Sequence, residues 1–192
     1  DLEKKIVNKT KLDGNFTFKS QNLVRNYETN ILEKTNVNDL LFNSYPNISN
    51  SGFYNTFDFI LKNSNSDTKN SNNYKKDENY YLSGLFQFNS SLPLIKKSEK
   101  LKKILKPKMS LKISPSSNED IRNKESRIDV NNIYSLNRIS DNDILEGGTS
   151  IAYGAEYSIL ETKGFNEIFG LKLANNLRFE DNDDLPKRLF SS

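Results

Sequence analysis

The stretch LKPKMSLKIS, residues 105–114, decides the fold of this chain. Its odd-numbered residues are apolar, and its even-numbered residues are lysine or serine. A period of two places these two sets on opposite faces of a β-strand. A strand that fills this stretch is also longer than the roughly 5–6 residues that are usual in soluble proteins.

The same period recurs along most of the chain. It is clear in residues 80–94, 147–160 and 168–179, and weaker in residues 15–25, 35–44, 53–62 and 128–138. The pattern predicts about eight strands and little helix. Tilted strands of roughly 9–11 residues have the length that crosses the hydrocarbon layer of a membrane. An antiparallel transmembrane β-barrel therefore competes with a soluble, secreted β-sandwich such as an adhesin, whose strands also alternate.

The connections between the predicted strands also suggest a membrane barrel. One alternate set is 28–34, 62–79, 115–127 and the tail from residue 180, and the other is 45–52, 95–104 and 161–167. Of the first set, 62–79 and 115–127 are longer than any connection in the second. Long loops at one end and short turns at the other are typical of outer-membrane barrels. This alternation requires that 128–138 does not cross the sheet. Residues 62–79 are almost wholly polar and are predicted to be a mobile loop.

Composition excludes several classes of function. The chain has no Cys and no His, which excludes disulfides, thiolate or imidazole metal sites and histidine-dependent catalysis. Its net charge is +3, too small to suggest a nucleic-acid partner. We therefore predict neither an enzyme nor a bound cofactor. A porin-like or receptor-like barrel channel remains an alternative.

Four motifs resemble one known family. They are SLPLI at 91–95, LKPKMSLKISP at 105–115, NIYSLNR at 132–138 and EGGTSIAYGAEY at 146–157. At these spacings they resemble the C-terminal barrel domain of the LPS-assembly protein LptD family. The motifs cover about a third of the chain and are moderately specific only as a set.

The resemblance implies a fold, a place and partners. Residues 1–192 would be part of one outer-membrane β-barrel domain of a Gram-negative bacterium, an incomplete barrel without the family's N-terminal jellyroll. The function implied is lipopolysaccharide (LPS) transport and insertion into the outer leaflet, without covalent chemistry. The partners implied are LPS, outer-membrane lipid, an LptE-like plug lipoprotein and, through the missing jellyroll, an LptA-like periplasmic bridge.

Five cations are candidate contacts inside such a barrel: Lys106, Lys108, Lys112, Lys172 and Arg178. A charge on the lipid face near the membrane centre would cost roughly 2–4 kcal/mol, so a barrel forces these side chains inward. They would then contact LPS or the plug lipoprotein. The alternative is that they only form a solvated lumen wall.

The turn SDNDILEGG, residues 140–148, contributes a second set of candidate residues. It lacks the 12-residue ligand pattern of a calcium loop, so a turn whose side chains bond the backbone is the better interpretation. Asn137 and Arg138 are predicted to pin this turn from the lumen side as a structural lock. The residues that the family motif assigns a structural role are Asn137, Arg138, Asp143, Glu146, Gly147 and Gly148.

Overall fold

A computed structural model describes residues 2–6, 13–27, 30–71, 79–116, 127–139, 144–163 and 166–180. These residues form ten β-strands: β1 Leu2–Ile6, β2 Gly14–Tyr27, β3 Ile31–Ser44, β4 Asn47–Ile48, β5 Tyr54–Lys69, β6 Asn79–Ser91, β7 Leu94–Lys97, β8 Leu101–Ser114, β9 Gly148–Glu161 and β10 Glu167–Arg178. Seven of them contain 12 to 16 residues. The predicted all-β class with long strands is confirmed. In the described part of the chain, no helix is long and apolar enough to cross a membrane.

The strands form one antiparallel sheet in the order β1-β2-β3-β5-β6-β8-β9-β10. Two short strands lie off this path, β4 on β5 and β7 on β8. β7 continues β6 in the same register along β8, since Ser91 faces Lys108 and Leu94 faces Leu105. Within the described residues β1 and β10 are the two edges, and the sheet does not close. This arrangement agrees with the predicted segment of an incomplete barrel.

The prediction of a strand over 128–138 is wrong. Residues 130–134 form turns, because side chains of this segment bond its backbone instead of leaving the backbone free for a ladder. The Asp129 carboxylate accepts from the amides of Asn131 at 2.7 Å and Asn132 at 3.3 Å, and the Ile133 amide donates to the Asp129 carbonyl at 3.0 Å. One connection, 115–147, therefore joins β8 to β9.

The prediction of a loop over 62–79 is also wrong for its first half. β5 continues to Lys69, which pairs with Leu32 of β3. The segment looked like a loop because it is polar, but its side chains still alternate, and Lys62, Ser64 and Thr68 are buried on one face. Residues 72–78, the rest of the predicted mobile loop, lie outside the described residues.

With these corrections, each connection between the strands can be assigned to one end of the sheet. Connections 28–30, 70–78 and 115–147 lie at one end, here called the loop end. Turns 49–53, 98–100 and 162–166 lie at the other, the turn end, because β4 and β7 extend the ladders along β5 and β8. The first loop-end connection is short, because β2 ends at Tyr27 and β3 begins at Ile31, so the predicted linker 28–34 is wrong there. The other two loop-end connections keep the predicted alternation, because 128–138 does not cross the sheet.

The two faces of the sheet differ in burial, and the usual distribution is inverted. On the face that we call the outer face, apolar side chains are exposed, as for Tyr80 at 73% and Leu173 at 63%. On the opposite inner face, polar side chains are buried, as for Gln87 at 0% and Lys112 at 3%. A sheet in water would bury the apolar face. Exposed apolar area of this extent marks a membrane or partner surface.

Candidate functional site

The inner face is covered by part of the connection between β8 and β9. We call its described residues, 127–139 and 144–147, the inner segment. One apolar contact joins its residues Ile128, Ile133 and Ile139 to Ala152 of β9. A second joins Leu145 to Ile60 of β5 and Leu85 of β6. Alternation places Leu85 in the otherwise polar row of β6, and the structure shows that it packs against this segment.

A buried ion cluster fixes the inner segment to β9 and β10. The Arg138 side chain is fully buried, and its Nε donates to Glu146 Oε2 at 2.7 Å. Its Nη1 donates to Asn176 at 2.6 Å and its Nη2 to Ser150 at 2.9 Å. Arg178 of β10 also pairs with Glu146, and donates to the Gly147 carbonyl at 2.9 Å. Each oxygen of the Glu146 carboxylate is thus bonded to a guanidinium group.

The pKa of Glu146 reflects this cluster. Burial alone would raise the pKa of the carboxyl group. The Arg138 hydrogen bond and the charges of Arg138, Lys112 and Arg178 outweigh burial and hold the pKa below its ordinary value of 4.5. A carboxyl group whose pKa is lowered in the docked state stabilises that state above its ordinary pKa. The stabilisation is lost as the pH falls through the lowered value.

We therefore expect acid to weaken docking of the inner segment, with the loss falling below about pH 4.5. An environment-sensitive dye on Ser135→Cys, an exposed position in the segment, would measure this in the full-length protein. Its emission should change as the pH is lowered below 4.5, the ordinary pKa of this carboxyl group. The same label with Glu146→Gln is the control and should show no transition in that range. An acid transition that persists in this control would contradict the assignment to Glu146.

The five predicted cations all lie on the inner face. Lys112 donates to the Leu136 carbonyl at 2.8 Å, and Lys172 donates to Asn131 at 3.1 Å, both within the inner segment. Lys108 pairs with Glu156 at 2.6 Å, and its Nζ lies 4.9 Å from the ring centre of Tyr134. Arg178 belongs to the ion cluster described above. Contact of these cations with LPS or a plug lipoprotein stays a prediction.

Of the five, Lys106 and Lys172 lie nearest the turn end, because both face Glu156 of β9. Beside Lys106 is a cavity of about 660 Å³ that is also lined by Lys108, Ile95 and Ile104. Glu156, the partner of Lys108, also lines this cavity, so this part of the inner face combines two cations and one carboxylate with apolar side chains.

The residues of the predicted structural lock differ in the contacts that they make. Arg138 and Glu146 form the ion cluster, whereas the Asn137 side chain accepts from the nearby Ile139 amide at 3.2 Å. Gly148 begins β9 with φ of +82°, a conformation that favours glycine. Asp143 lies outside the described residues. Among the residues that are described, no group of three or more His, Cys, Asp or Glu could hold a metal ion.

Three contacts of the inner segment were not predicted from the sequence. Gln87 of β6 donates to the Tyr134 carbonyl at 2.9 Å, and Ser150 and Asn176 accept from Arg138. Alternation already assigned each of the three to the polar face. The sequence did not predict that their partners lie in the inner segment, because a segment that crosses a sheet without pairing to it has no periodic sequence pattern.

The comparisons with known proteins agree with the motifs. A family model described as LptD, LPS transport system D, matches residues 7–191. No curated protein matches the chain.

Proposed function

Because this chain belongs to the LptD family of LPS transport proteins, we propose that it forms part of the wall of an outer-membrane β-barrel that delivers LPS into the outer leaflet. The outer face would contact lipid and the inner face the lumen. The proposal involves no covalent step, and its partners would be LPS, an LptE-like plug lipoprotein and an LptA-like bridge. The family match supports LPS over the solutes of a general porin or receptor.

The inverted burial is the observation that carries the location in a membrane. Apolar rows on β8, β9 and β10 are exposed, while Ser110, Lys112 and Ser150 on the opposite face are buried. A soluble β-sandwich would pack those apolar rows against a second sheet. Strands of 12 to 16 residues are long enough to cross the hydrocarbon layer and extend beyond it.

The orientation follows from the two ends of the sheet. Long loops of outer-membrane barrels face the cell exterior and short turns face the periplasm. The inner segment would then enter the lumen from outside and cover its outer half. The cavity beside Lys106 would open toward the periplasm, where LPS phosphates or a plug lipoprotein arrive. Cations next to apolar side chains suit a ligand that is both anionic and lipidic.

Two measurements on the full-length protein test this function. The protein should fractionate with the outer membrane and migrate faster on a gel before heating than after it, as folded barrels do. Depleting it should lower the amount of LPS at the cell surface, and the restored gene should recover that amount. Release of the protein into the medium, or unchanged surface LPS after depletion, would contradict the proposal.

A further inference from the structure

Two neighbouring rows of polar side chains cross β2, β3 and β5 on the outer face, and five of these six residues are asparagines. One row contains Asn22, Asn36 and Asn65, and the other contains Ser20, Asn38 and Asn63. We call these six residues the amide rows. Asparagine is depleted in strands because it packs poorly on a pleated surface. The presence of five asparagines in two adjacent rows across three neighbouring strands therefore calls for an explanation other than the fold.

The amide rows lie directly beyond the apolar part of the outer face. The next row toward the turn end contains Phe18, Leu40 and Leu61, about 7 Å away at the usual rise of a strand. The row beyond it contains Phe16, Phe42, Phe59 and Phe86. On β2, β3 and β5 the outer face thus changes from hydrocarbon to neutral amide groups within one row, whereas on β6 the two rows continue with Leu82 and Tyr80. The change lies on the loop-end side, which the proposed orientation places at the outer leaflet.

Hydrogen bonds hold the amide rows in a fixed pattern. Ser20 donates to Asn38 at 2.7 Å, and Asn65 donates to Asn63 at 2.7 Å. Asn36 donates to Asn22, and Asn65 to Asn36 at 3.4 Å. Each amide has two donor hydrogens and two acceptor lone pairs, so such rows can also bond an outside partner.

The charge of this surface limits the range of possible partners further. On the outer face beyond the rows, Lys34 pairs with Asp67 at 3.3 Å, and their charges cancel. Lys69, one row further from the amide rows, faces Leu32 and adds one exposed positive charge, so a phosphate would be attracted there and not at the amide rows themselves. A lipid whose acyl chains lie on the phenylalanine and leucine rows would hold its head group against the amide rows. Neutral donors and acceptors at that height fit hydroxyl-rich sugars better than a phospholipid head group.

We propose that the amide rows bind the sugar head group of a glycolipid in the outer leaflet, on the lipid-facing side of the wall. This inference rests on the proposed location in the outer membrane. It concerns a surface separate from the lumen. LPS bound here would be a structural neighbour of the protein and not the molecule in transit.

Photo-crosslinking from the outer face tests this binding. Val24 lies one row beyond Asn22 and is 69% exposed, so benzoylphenylalanine at this position reports on that surface alone. The full-length protein would be extracted in mild detergent, exchanged into fresh detergent and irradiated. We expect an LPS adduct that falls about tenfold with Asn36→Thr/Asn65→Thr and with Asn38→Thr/Asn63→Thr, the loss expected for one or two neutral hydrogen bonds. Threonine suits a strand, so both variants should fold.

The control carries the same change at the other end of the sheet. Asn47→Thr/Asn50→Thr alters two exposed asparagines at the turn end and should leave the adduct unchanged. Equal adduct yields in all variants would overturn the proposal, as would an equal fall in phosphatidylethanolamine adducts, since that result means general lipid contact. Fractionation of the same cells separates the two failures. A protein in the outer membrane with unchanged adducts refutes only this inference, whereas a protein elsewhere refutes its premise as well.

Discussion

Replacing Arg138 with alanine is expected to release the inner segment from the sheet. The change leaves the Glu146 carboxylate buried with one of its two guanidinium partners missing, and Ser150 and Asn176 each lose a donor. Breaking a buried ion pair from one side costs about 3–5 kcal/mol. Amide hydrogen exchange at Ile133 and Ser135, whose amides bond within the segment, should rise about 100-fold or more.

Arg127→Ala is the matched control for this experiment. Arg127 starts the same segment, but its side chain is exposed, so its loss should change the docking free energy by no more than about 0.5 kcal/mol. Strand amides in β9 should keep their protection in both variants if the release is local. Equal exchange at Ile133 in the two variants would show that the ion cluster does not hold the segment.

Replacing Gly154 with alanine is expected to disturb both the inner segment and the pairing of β9 with β10. A Cβ atom at this position would lie 2.6 Å from the Tyr134 hydroxyl oxygen and 2.8 Å from the Ala174 Cα atom, and would also contact the Leu173 carbonyl. Two of these neighbours are backbone atoms that cannot rotate away. Overpacking of this kind costs about 1–3 kcal/mol. The folded form of the full-length barrel should unfold at a lower temperature when followed by its shift in gel migration.

Gly84→Ala provides the comparison for Gly154. Gly84 is also a strand glycine, but a Cβ atom there meets nothing closer than 3.9 Å. Alanine should be neutral or slightly stabilising, because it has less backbone freedom to lose than glycine. Equal unfolding temperatures for the two alanine variants would contradict the close contact between Gly154 and Tyr134.

Strands could be predicted where alternation was strict. Residues 105–114 identified β8, and the same rule assigned Lys106, Lys108 and Lys112 to one face without any structure. The rule failed where local chemistry competed with it. The Asp129 carboxylate accepts a hydrogen bond from a backbone amide that a strand over 128–138 would need for pairing. In the second case, β5 continues through polar residues whose composition suggests a loop.

The ion cluster could be predicted only in part. The family motif marked Arg138 and Glu146, and alternation put Arg178 on the inner face. Neither the motif nor the alternation predicts that these three side chains are in contact. That contact depends on the register of β10 against β9 and on a turn that folds across the sheet. Contacts between distant parts of a chain leave no local pattern, whereas the face of a strand does.

The attachment of the inner segment has a mechanical consequence. Ser114, the last residue of β8, faces Gly148, the first of β9, so the chain leaves and rejoins the sheet at adjacent points. In the proposed barrel, undocking of the inner segment would therefore leave the ladder hydrogen bonds between β8 and β9 in place. The free energy of undocking would then be set by the docking contacts, separately from the free energy that holds the proposed wall in the membrane.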